Sequence, residues 1–302
     1  MSTAGTARTQ VLTAAVLFGT TGTAQALGPR IDPLAVGTAR IAVGASLLVV
    51  LALVTHGRLA LGNADRRLVL LAGAFVALYQ AGFFAAVSQT GVAVGTVVAI
   101  GSAPAFTGLF GRVFGGEELA PRWFAATGLA CAGVVLLTLS GGAGGGVSAA
   151  GVVLALAAGA GYAGYAVAGK RMLDEGGTPA GVMAAVFATG ALMLLPALAI
   201  VPVGNLFSAE GLALAAYLGA LPTALAYILF ARGLKRVGAG ETATLTLAEP
   251  VTAMALGFVV LGERPGAPAV VGAALVLAGL AVLAVRPEPS PRIRARPAET
   301  PA

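Results

Sequence analysis

The chain has 302 residues, of which 58% are hydrophobic and 10% are charged, and its mean hydropathy is +0.94. Soluble domains contain about 25% charged residues, because polar side chains must cover their exterior. This composition therefore excludes a cytosolic enzyme, a secreted disulfide scaffold and a disordered chain. The net charge of +6 lies in short basic clusters between long apolar runs, which indicates a membrane protein rather than a nucleic-acid-binding protein.

Apolar runs long enough to cross a bilayer follow one another along the whole chain. A membrane-spanning helix needs about 20 apolar residues, and the sequence contains ten runs of about that length. It therefore predicts an all-α integral membrane protein with ten transmembrane helices and short loops. The predicted spans are residues 10–28, 33–55, 68–88, 92–113, 122–140, 148–169, 180–200, 211–231, 238–260 and 267–285.

The basic residues predict the orientation of the chain. With both termini in the cytoplasm, 15 of the 18 Lys and Arg residues fall on the cytoplasmic side, whereas Arg30 and Arg264 fall outside and Arg40 lies within the second span. Cytoplasmic loops are enriched in Lys and Arg, so we predict cytoplasmic N- and C-termini. The last residues, 286–302, are rich in proline and arginine, and we expect a disordered basic cytoplasmic tail.

A pattern in the first half of the chain recurs in the second half. Pro104 and Glu117 are followed, 146 residues later, by Pro250 and Glu263. Each half contains five predicted spans, and because five is odd, the second half must enter the membrane in the opposite sense. Inverted repeats of this kind are typical of secondary transporters, which bind solute near the bilayer midplane between the repeats. The predicted units are residues 10–140 and 148–285.

Three stretches carry a resemblance to a known family. They are AP…GEE in the fourth span, EP…LGER in the ninth, and GPRIDPLAVGTAR before and within the second. With the ten spans and the duplication, the chain resembles the EamA family of the drug/metabolite transporter superfamily. The resemblance implies helices arranged around a central cavity, alternating access, and the export of amino acids, related metabolites or drugs. Its members are mostly bacterial.

Glu249 is predicted to lie in the middle of the ninth span, where an ionisable side chain is a candidate functional group. Pro250 follows it and removes a backbone hydrogen bond, so we predict a helix break there, and a second break at Pro104. Glu249 is interpreted as a proton-coupling group, as a ligand for a substrate amine, or as a neutral structural carboxyl. The sequence leaves these readings open.

Arg40 is predicted to lie about two turns inside the second span. A buried arginine pairs with an acid or extends towards the interface. Arg40 would bind a substrate carboxylate if it lined a cavity, or join helices at the outer rim if it were structural. A partnership with Glu249 is a third arrangement, which the sequence does not test.

Polar and aromatic side chains within the spans supply the remaining candidates for a solute site. Tyr79 and Phe83 share a helix face, as do Tyr162 and Tyr165, and aromatic walls with a few polar groups suit a small amphipathic ligand. The alternative for each residue is ordinary helix packing or interfacial anchoring. The full set is Tyr79, Gln80, Phe83, Ser102, Tyr162, Tyr165 and Tyr227.

Other features point away from enzyme chemistry. One cysteine and one histidine provide neither a disulfide nor a metal site, so we predict no metal and no cofactor. Arg171 stands where a phosphate-binding loop needs Ser or Thr, so we predict no nucleotide site. Glu117 and Glu263 each precede a proline near a helix start, where a carboxylate complements the helix N-terminus.

The sequence therefore predicts a secondary transporter in a bacterial inner membrane, with a small-molecule substrate, no nucleic-acid partner and the lipid bilayer around it. We expect an exporter of small organic metabolites, with proton coupling as one reading. A channel-like or non-transporting assembly subunit is the alternative, and a membrane-embedded enzyme is a weaker one. The sequence names neither the substrate nor the oligomeric state, and a homodimer is one arrangement that it leaves open.

Overall fold

The computed structural model describes residues 3–139, 148–262, 264 and 266–284. These residues form helices and connecting turns, and no strand occurs in the described ranges apart from one isolated bridge between Gly62 and Gly176. The helices are α1 (Thr3–Leu27), α2 (Pro33–His56), α3 (Arg66–Gly115), α4 (Pro121–Leu139), α5 (Ala149–Asp174), α6 (Pro179–Leu194), α7 (Ala209–Gly219), α8 (Ala226–Leu234), α9 (Ala239–Leu245), α10 (Ala248–Leu261) and α11 (Ala267–Ala284).

Local sequence signals set several of these helix ends. Asp32 and Thr178 each accept a backbone N–H bond at a helix start, and each is followed by a proline, whose fixed φ suits the first helical position. Gly57, Gly116 and Gly262 end their helices with φ of +68°, +65° and +69°, a conformation that favours glycine.

Helix α3 contains 50 residues but is not one straight rod. Gly159 of α5 lies against Ser102, whereas Gly161, two residues further along α5, lies against the Phe75 carbonyl. Phe75 and Ser102 would be about 40 Å apart on a straight helix. The helical residues therefore fold back on themselves, and two antiparallel arms of α3, one with Phe75 and one with Ser102, flank α5.

Two other helical segments are irregular near a proline. Pro222 has no N–H to donate to the Leu218 carbonyl, and residues Ala220–Leu225 form a π-helical turn in which the Thr223 hydroxyl donates to that carbonyl at 2.8 Å. Between α9 and α10 the helix is interrupted just before Glu249 and Pro250, as predicted.

Pro104 lies inside α3, and no interruption of the helix is found at this predicted break. Pro250 has no N–H to donate to the Thr246 carbonyl at the α9–α10 break. This carbonyl is nevertheless hydrogen-bonded, because it accepts the Glu249 N–H at 2.9 Å.

Six helical segments are long and apolar enough to cross a membrane, and two further apolar helices, Pro121–Leu136 and Ala267–Leu283, are shorter. The predicted count of ten spans and the predicted side of the termini stay predictions. The six segments are Pro33–His56, Arg66–Thr90, Ala149–Asp174, Pro179–Ala199, Ala209–Leu234 and Ala239–Leu261.

Close contacts between helix backbones recur at the same spacing of 146 residues. A β-carbon on Gly44 would lie 3.0 Å from the Gly219 carbonyl oxygen, and one on Gly73 would lie 3.0 Å from the Gly190 nitrogen. Adding 146 to Gly44 gives Gly190, and adding 146 to Gly73 gives Gly219. The same shift of 146 residues therefore relates the Gly44–Gly219 contact to the Gly73–Gly190 contact.

The same relation holds between α4 and α11. A β-carbon on Gly133 would lie 2.5 Å from the Gly272 carbonyl oxygen, and one on Gly279 would lie 2.6 Å from the Ala126 carbonyl oxygen. Positions 133 and 279 are 146 apart, and so are 126 and 272. Contacts that map onto each other in both directions are those expected of two similar units related by a two-fold axis.

The two halves of the chain are interleaved. α1 packs on α8 and α10 of the second half, and α5 packs on both arms of α3 in the first half. α2 packs on α6, and α4 on α11. Because neighbouring helices come from different halves, neither half encloses a core of its own.

Loops from both halves meet at the end of the bundle where α3 runs into α4. The Glu117 carboxylate accepts the N–H groups of Ala239 and Gly240 at 2.5 and 3.3 Å, and so caps α9 in the other half. The predicted capping role is correct in kind, although the capped helix is α9 and not the following helix α4. Glu263 lies outside the described residues.

Further contacts join the halves at this end. Arg8 of α1 forms an ion pair with Glu241 of α9, with Nε and Oε1 2.6 Å apart. In the loops, the Thr178 N–H donates to the Ala60 carbonyl at 3.0 Å.

The glycine contacts predict opposite effects of the same substitution at two positions of α4. Gly133→Ala should lower stability by about 1–3 kcal/mol, because the added methyl meets backbone that cannot yield. Gly128→Ala should leave stability unchanged or raise it by up to about 1 kcal/mol, since nothing lies within 4 Å and alanine favours helix. Thermal unfolding of both purified variants in detergent tests this, and equal melting temperatures would contradict the packing described.

The Glu117 cap predicts a second contrast between neighbouring residues. Glu117→Ala should destabilise the protein by about 1–2 kcal/mol and speed hydrogen exchange at the start of α9, because two amides lose their acceptor. Glu118→Ala is the matched control, since Glu118 is exposed. Faster exchange at Ala239 and Gly240 in both variants, or in neither, would be inconsistent with the cap.

Candidate functional site

Four of the predicted aromatic residues meet in the middle of the bundle. The rings of Tyr79 and Tyr162 are 6.0 Å apart, those of Tyr162 and Tyr165 are 5.1 Å apart, and those of Tyr165 and Tyr227 are 6.3 Å apart. They come from α3, α5 and α8, so the cluster joins three helices. We call the space that these rings border the aromatic chamber.

The members of this cluster differ in accessibility. Tyr165 and Tyr227 are buried, at 1% and 7% exposure, and their hydroxyls are hydrogen-bonded to each other at 3.2 Å. Tyr79 and Tyr162 are half-buried although they lie deep in the bundle. Tyr79 and Tyr162 are therefore the rings that a solute can touch, and the other two support them.

Arg40 of α2 is half-buried, and its Nη2 donates to Gln80 Oε1 at 2.9 Å. Gln80 itself is buried, with 2% exposure. Arg40 is thus held by a neutral amide. It lies within electrostatic range of Tyr79 and Glu249.

Glu249 stands at the first turn of α10, directly after the break from α9. Its side chain is half-buried, and it makes no hydrogen bond or ion pair with the described part of the chain. It lies within electrostatic range of Tyr79, Tyr162 and Tyr227. Arg40 and Glu249 therefore lie within range of the same tyrosines, Tyr79 and Tyr227, without forming the direct pair that the sequence left open.

The remaining predicted residues lie at the edges of this region. Phe83 extends the aromatic cluster along α3, with its ring 6.2 Å from that of Tyr79. Ser102 packs on Gly159 and donates to the Ala99 carbonyl at 3.3 Å, so its place is in the seam between α3 and α5.

Several members of the cluster were missed by sequence reasoning. Phe187 has its ring 4.1 Å from that of Tyr227, and Phe18 lies 4.9 Å from the same ring. Phe230 could have been found, because it follows Tyr227 by three residues on one helix face. Thr246 at the α9–α10 break was also missed, and its hydroxyl is 3.2 Å from that of Tyr162.

The geometry brings together one carboxyl, one guanidinium and accessible aromatic rings. Such a chamber can hold a small solute with polar ends and an apolar body. Within the described ranges, no group of three or more His, Cys, Asp and Glu side chains comes close enough together to hold a metal ion.

Comparison with known proteins identifies the family of the chain. The profile of the EamA-like transporter family matches residues 7–139 and 149–285. An uncharacterized transporter, YwfM, of Bacillus subtilis (strain 168), is 40% identical over 278 residues, which cover 92% of this chain and 93% of that protein. A crystal structure of another protein superposes with a TM-score of 0.80 over 93% of this chain and 96% of the other, at 24% identity, which shows the fold alone.

The apolar helices around a polar and aromatic interior are those of a multi-pass membrane transporter. With the family profile matching both halves of the chain, the protein belongs to the EamA-like transporter family, within the drug/metabolite transporter superfamily.

The different accessibility of the tyrosines predicts different effects of losing a hydroxyl. Tyr165→Phe should cost about 0.5–1.5 kcal/mol of stability, because the buried Tyr227 hydroxyl loses its partner. Tyr162→Phe should cost less, since Thr246 also donates to the Ala243 carbonyl at 2.7 Å and stays satisfied. Melting temperatures of the two variants measure the difference. A larger loss of stability for Tyr162→Phe would contradict the assignment of Tyr165 as a buried support and of Tyr162 as an accessible ring of the chamber.

Proposed function

We propose that this protein is a secondary transporter that exports small organic solutes by alternating access around the aromatic chamber. The observation that carries the proposal is Glu249, a carboxyl at a helix break that lies within electrostatic range of the accessible Tyr79 and Tyr162 and has no side-chain partner in the described structure. An ionisable group placed in this way inside a membrane protein is costly unless it serves a function.

The proposal includes the organisation of the chain. The units are residues 10–140 and 148–285, each with five spans and inserted in opposite senses, with both termini in the cytoplasm of a bacterium and the spans in its inner membrane. The recurrence of glycine contacts at 146 residues supports the two units, and the two matches of the family profile support them as well. The bacterial relative supports the compartment.

The chamber suggests how a solute is held. Arg40 offers free N–H groups to a carboxylate or another anionic or polar group, because Gln80 occupies only one of its nitrogens. Glu249 accepts an amine or a proton. The rings of Tyr79 and Tyr162, which pack edge to face, together supply apolar surface. Arg40 lies in the first unit and Glu249 in the second, so a solute that contacts both spans the two units.

Alternating access requires that contacts between the units break at one end while they form at the other. The contacts where Glu117 caps α9 and Arg8 meets Glu241 close one end of the bundle. Each is polar and short-ranged, so each can open without exposing a large apolar surface. We propose that these contacts form the cytoplasmic gate.

A channel or an assembly subunit is the competing function, and transport kinetics distinguish it. The purified protein in liposomes preloaded with amino acids, amines, nucleosides or aromatic drugs is tested for uptake of the matching labelled solute. A carrier shows saturable counterflow, whereas a channel shows flux that neither saturates nor is stimulated by solute on the other side. Absence of counterflow for every class, with folded protein, would contradict the proposal.

Glu249→Gln separates the three readings of this residue. If Glu249 couples protons, the variant should keep counterflow and lose at least about tenfold of its pH-gradient-driven accumulation, because glutamine cannot titrate. If it binds a substrate amine, both activities should fall. Unchanged activities would mean a structural carboxyl. Glu118→Gln removes an exposed carboxyl elsewhere and should behave as the wild type.

A further inference from the structure

A groove of about 820 Å³ lies outside the aromatic chamber, between α1, α7 and α10. It is found at the end of the bundle where α1 ends and α7 begins. Its size falls within the roughly 300–1,000 Å³ typical of ligand sites. The lining includes Thr20, Thr23, Leu27, Glu210, Tyr217 and Leu256.

The inner part of the groove is effectively apolar. Its leucines and alanines present hydrocarbon, and two of its hydroxyls are hydrogen-bonded: the Tyr217 hydroxyl donates to Thr20 Oγ1 at 3.0 Å, and Thr20 donates to the Leu17 carbonyl at 2.7 Å. The Thr23 hydroxyl, also in the lining, makes no hydrogen bond in the described structure. A hydrocarbon chain can therefore lie against Thr20 and Tyr217 without breaking their hydrogen bonds.

The mouth of the groove is acidic. Glu210, in the first turn of α7, is exposed, and it is the charged member of the lining residues in the described structure. It makes no ion pair with the described part of the chain. An apolar trough that ends at an unpaired carboxylate is complementary to a molecule with a hydrocarbon chain and a positive head.

We propose that this groove binds a cationic amphiphile, a long-chain amine whose chain lies along α1 and α10 and whose ammonium meets Glu210. A fatty-acid carboxylate or a lipid phosphate would instead be repelled at the mouth. The commitment to an amine thus rests on charge, while the apolar wall supplies most of the affinity.

The groove is separate from the chamber. A β-carbon on Gly19 would lie 2.8 Å from the Glu249 carbonyl oxygen, so α1 and α10 are in tight contact between the two spaces. Leu256 follows Glu249 by seven residues, about 10 Å along α10. Binding in the groove therefore does not depend on the proposed transport function, and it is tested without a transport assay.

The sequence offers a clean fluorescent reporter. Trp123 is the single tryptophan, and its Nε1 has no hydrogen-bond partner in the described structure, so Trp123→Phe loses no hydrogen bond. Adding Tyr217→Trp to this background places the only tryptophan in the groove. The full chain is reconstituted in lipid nanodiscs, and 11-bromoundecylamine is added, because bromine quenches tryptophan on contact.

The amine should quench this tryptophan in a saturable manner. Glu210→Gln should raise the half-saturating concentration about two- to fivefold, the range expected for one exposed charge pair. The carboxylate probe 11-bromoundecanoate should give no saturation. In the matched control, Leu212→Trp in the same background, the tryptophan lies on the exposed side of α7 and should report only gradual partitioning into the bilayer.

Four results would overturn the proposal. The first two are saturable quenching by the carboxylate probe equal to that by the amine, and a half-saturating amine concentration that Glu210→Gln leaves unchanged. The third is quenching of the groove tryptophan by a brominated phospholipid that added amine does not relieve, and the fourth is tryptophan emission that depends on the protein concentration. The third would assign the groove to a lipid chain and the fourth to a second copy of the chain. If Tyr217→Trp does not fold, Ala213→Trp places the reporter on the same wall.

Discussion

The fold depends on the approach of helix backbones at glycines. Lipid chains are as apolar as leucine, so helices in a membrane gain little from burying apolar side chains and instead gain from close packing. The Gly44–Gly219, Gly73–Gly190 and Gly133–Gly272 contacts bring backbones together where any side chain would hold them apart. They fix which helices are neighbours, and hence which side chains face the interior.

The aromatic chamber follows from this packing. Because α5 lies against both arms of α3, Tyr162 and Tyr165 are brought to Tyr79, and the contact of α1 with α8 adds Phe18 to Tyr227. The buried rings form a rigid support, whereas the accessible ones, with Arg40 and Glu249, border a space that is polar at two points. A site of this kind is positioned by the close contacts between the surrounding helices, and not by the loops.

Features encoded locally could be predicted from the sequence, and features that depend on contacts between helices could not. The starts of α2 and α4 were expected close to Pro33 and Pro121, since a proline acts on its own helix. The break beside Glu249 was expected for the same reason. The bond from Arg40 to Gln80 was not foreseen, because periodicity shows which face of a helix is special but not what lies opposite. Pro104 shows the converse, because proline alone predicts a break there although the residue lies inside a continuous helix.

The close glycine contacts between helices recur at a spacing of 146 residues, but the charged residues of the chamber do not. At the positions 146 residues from Arg40 and Glu249 stand Val186 and Ala103, both apolar. Helix contacts that occur twice thus position a site with one basic residue, Arg40 in the first half, and one acidic residue, Glu249 in the second. Under the proposed alternating access, a movement of one half against the other would change the distance between Arg40 and Glu249, and with it the length of the molecule that both side chains can contact at once.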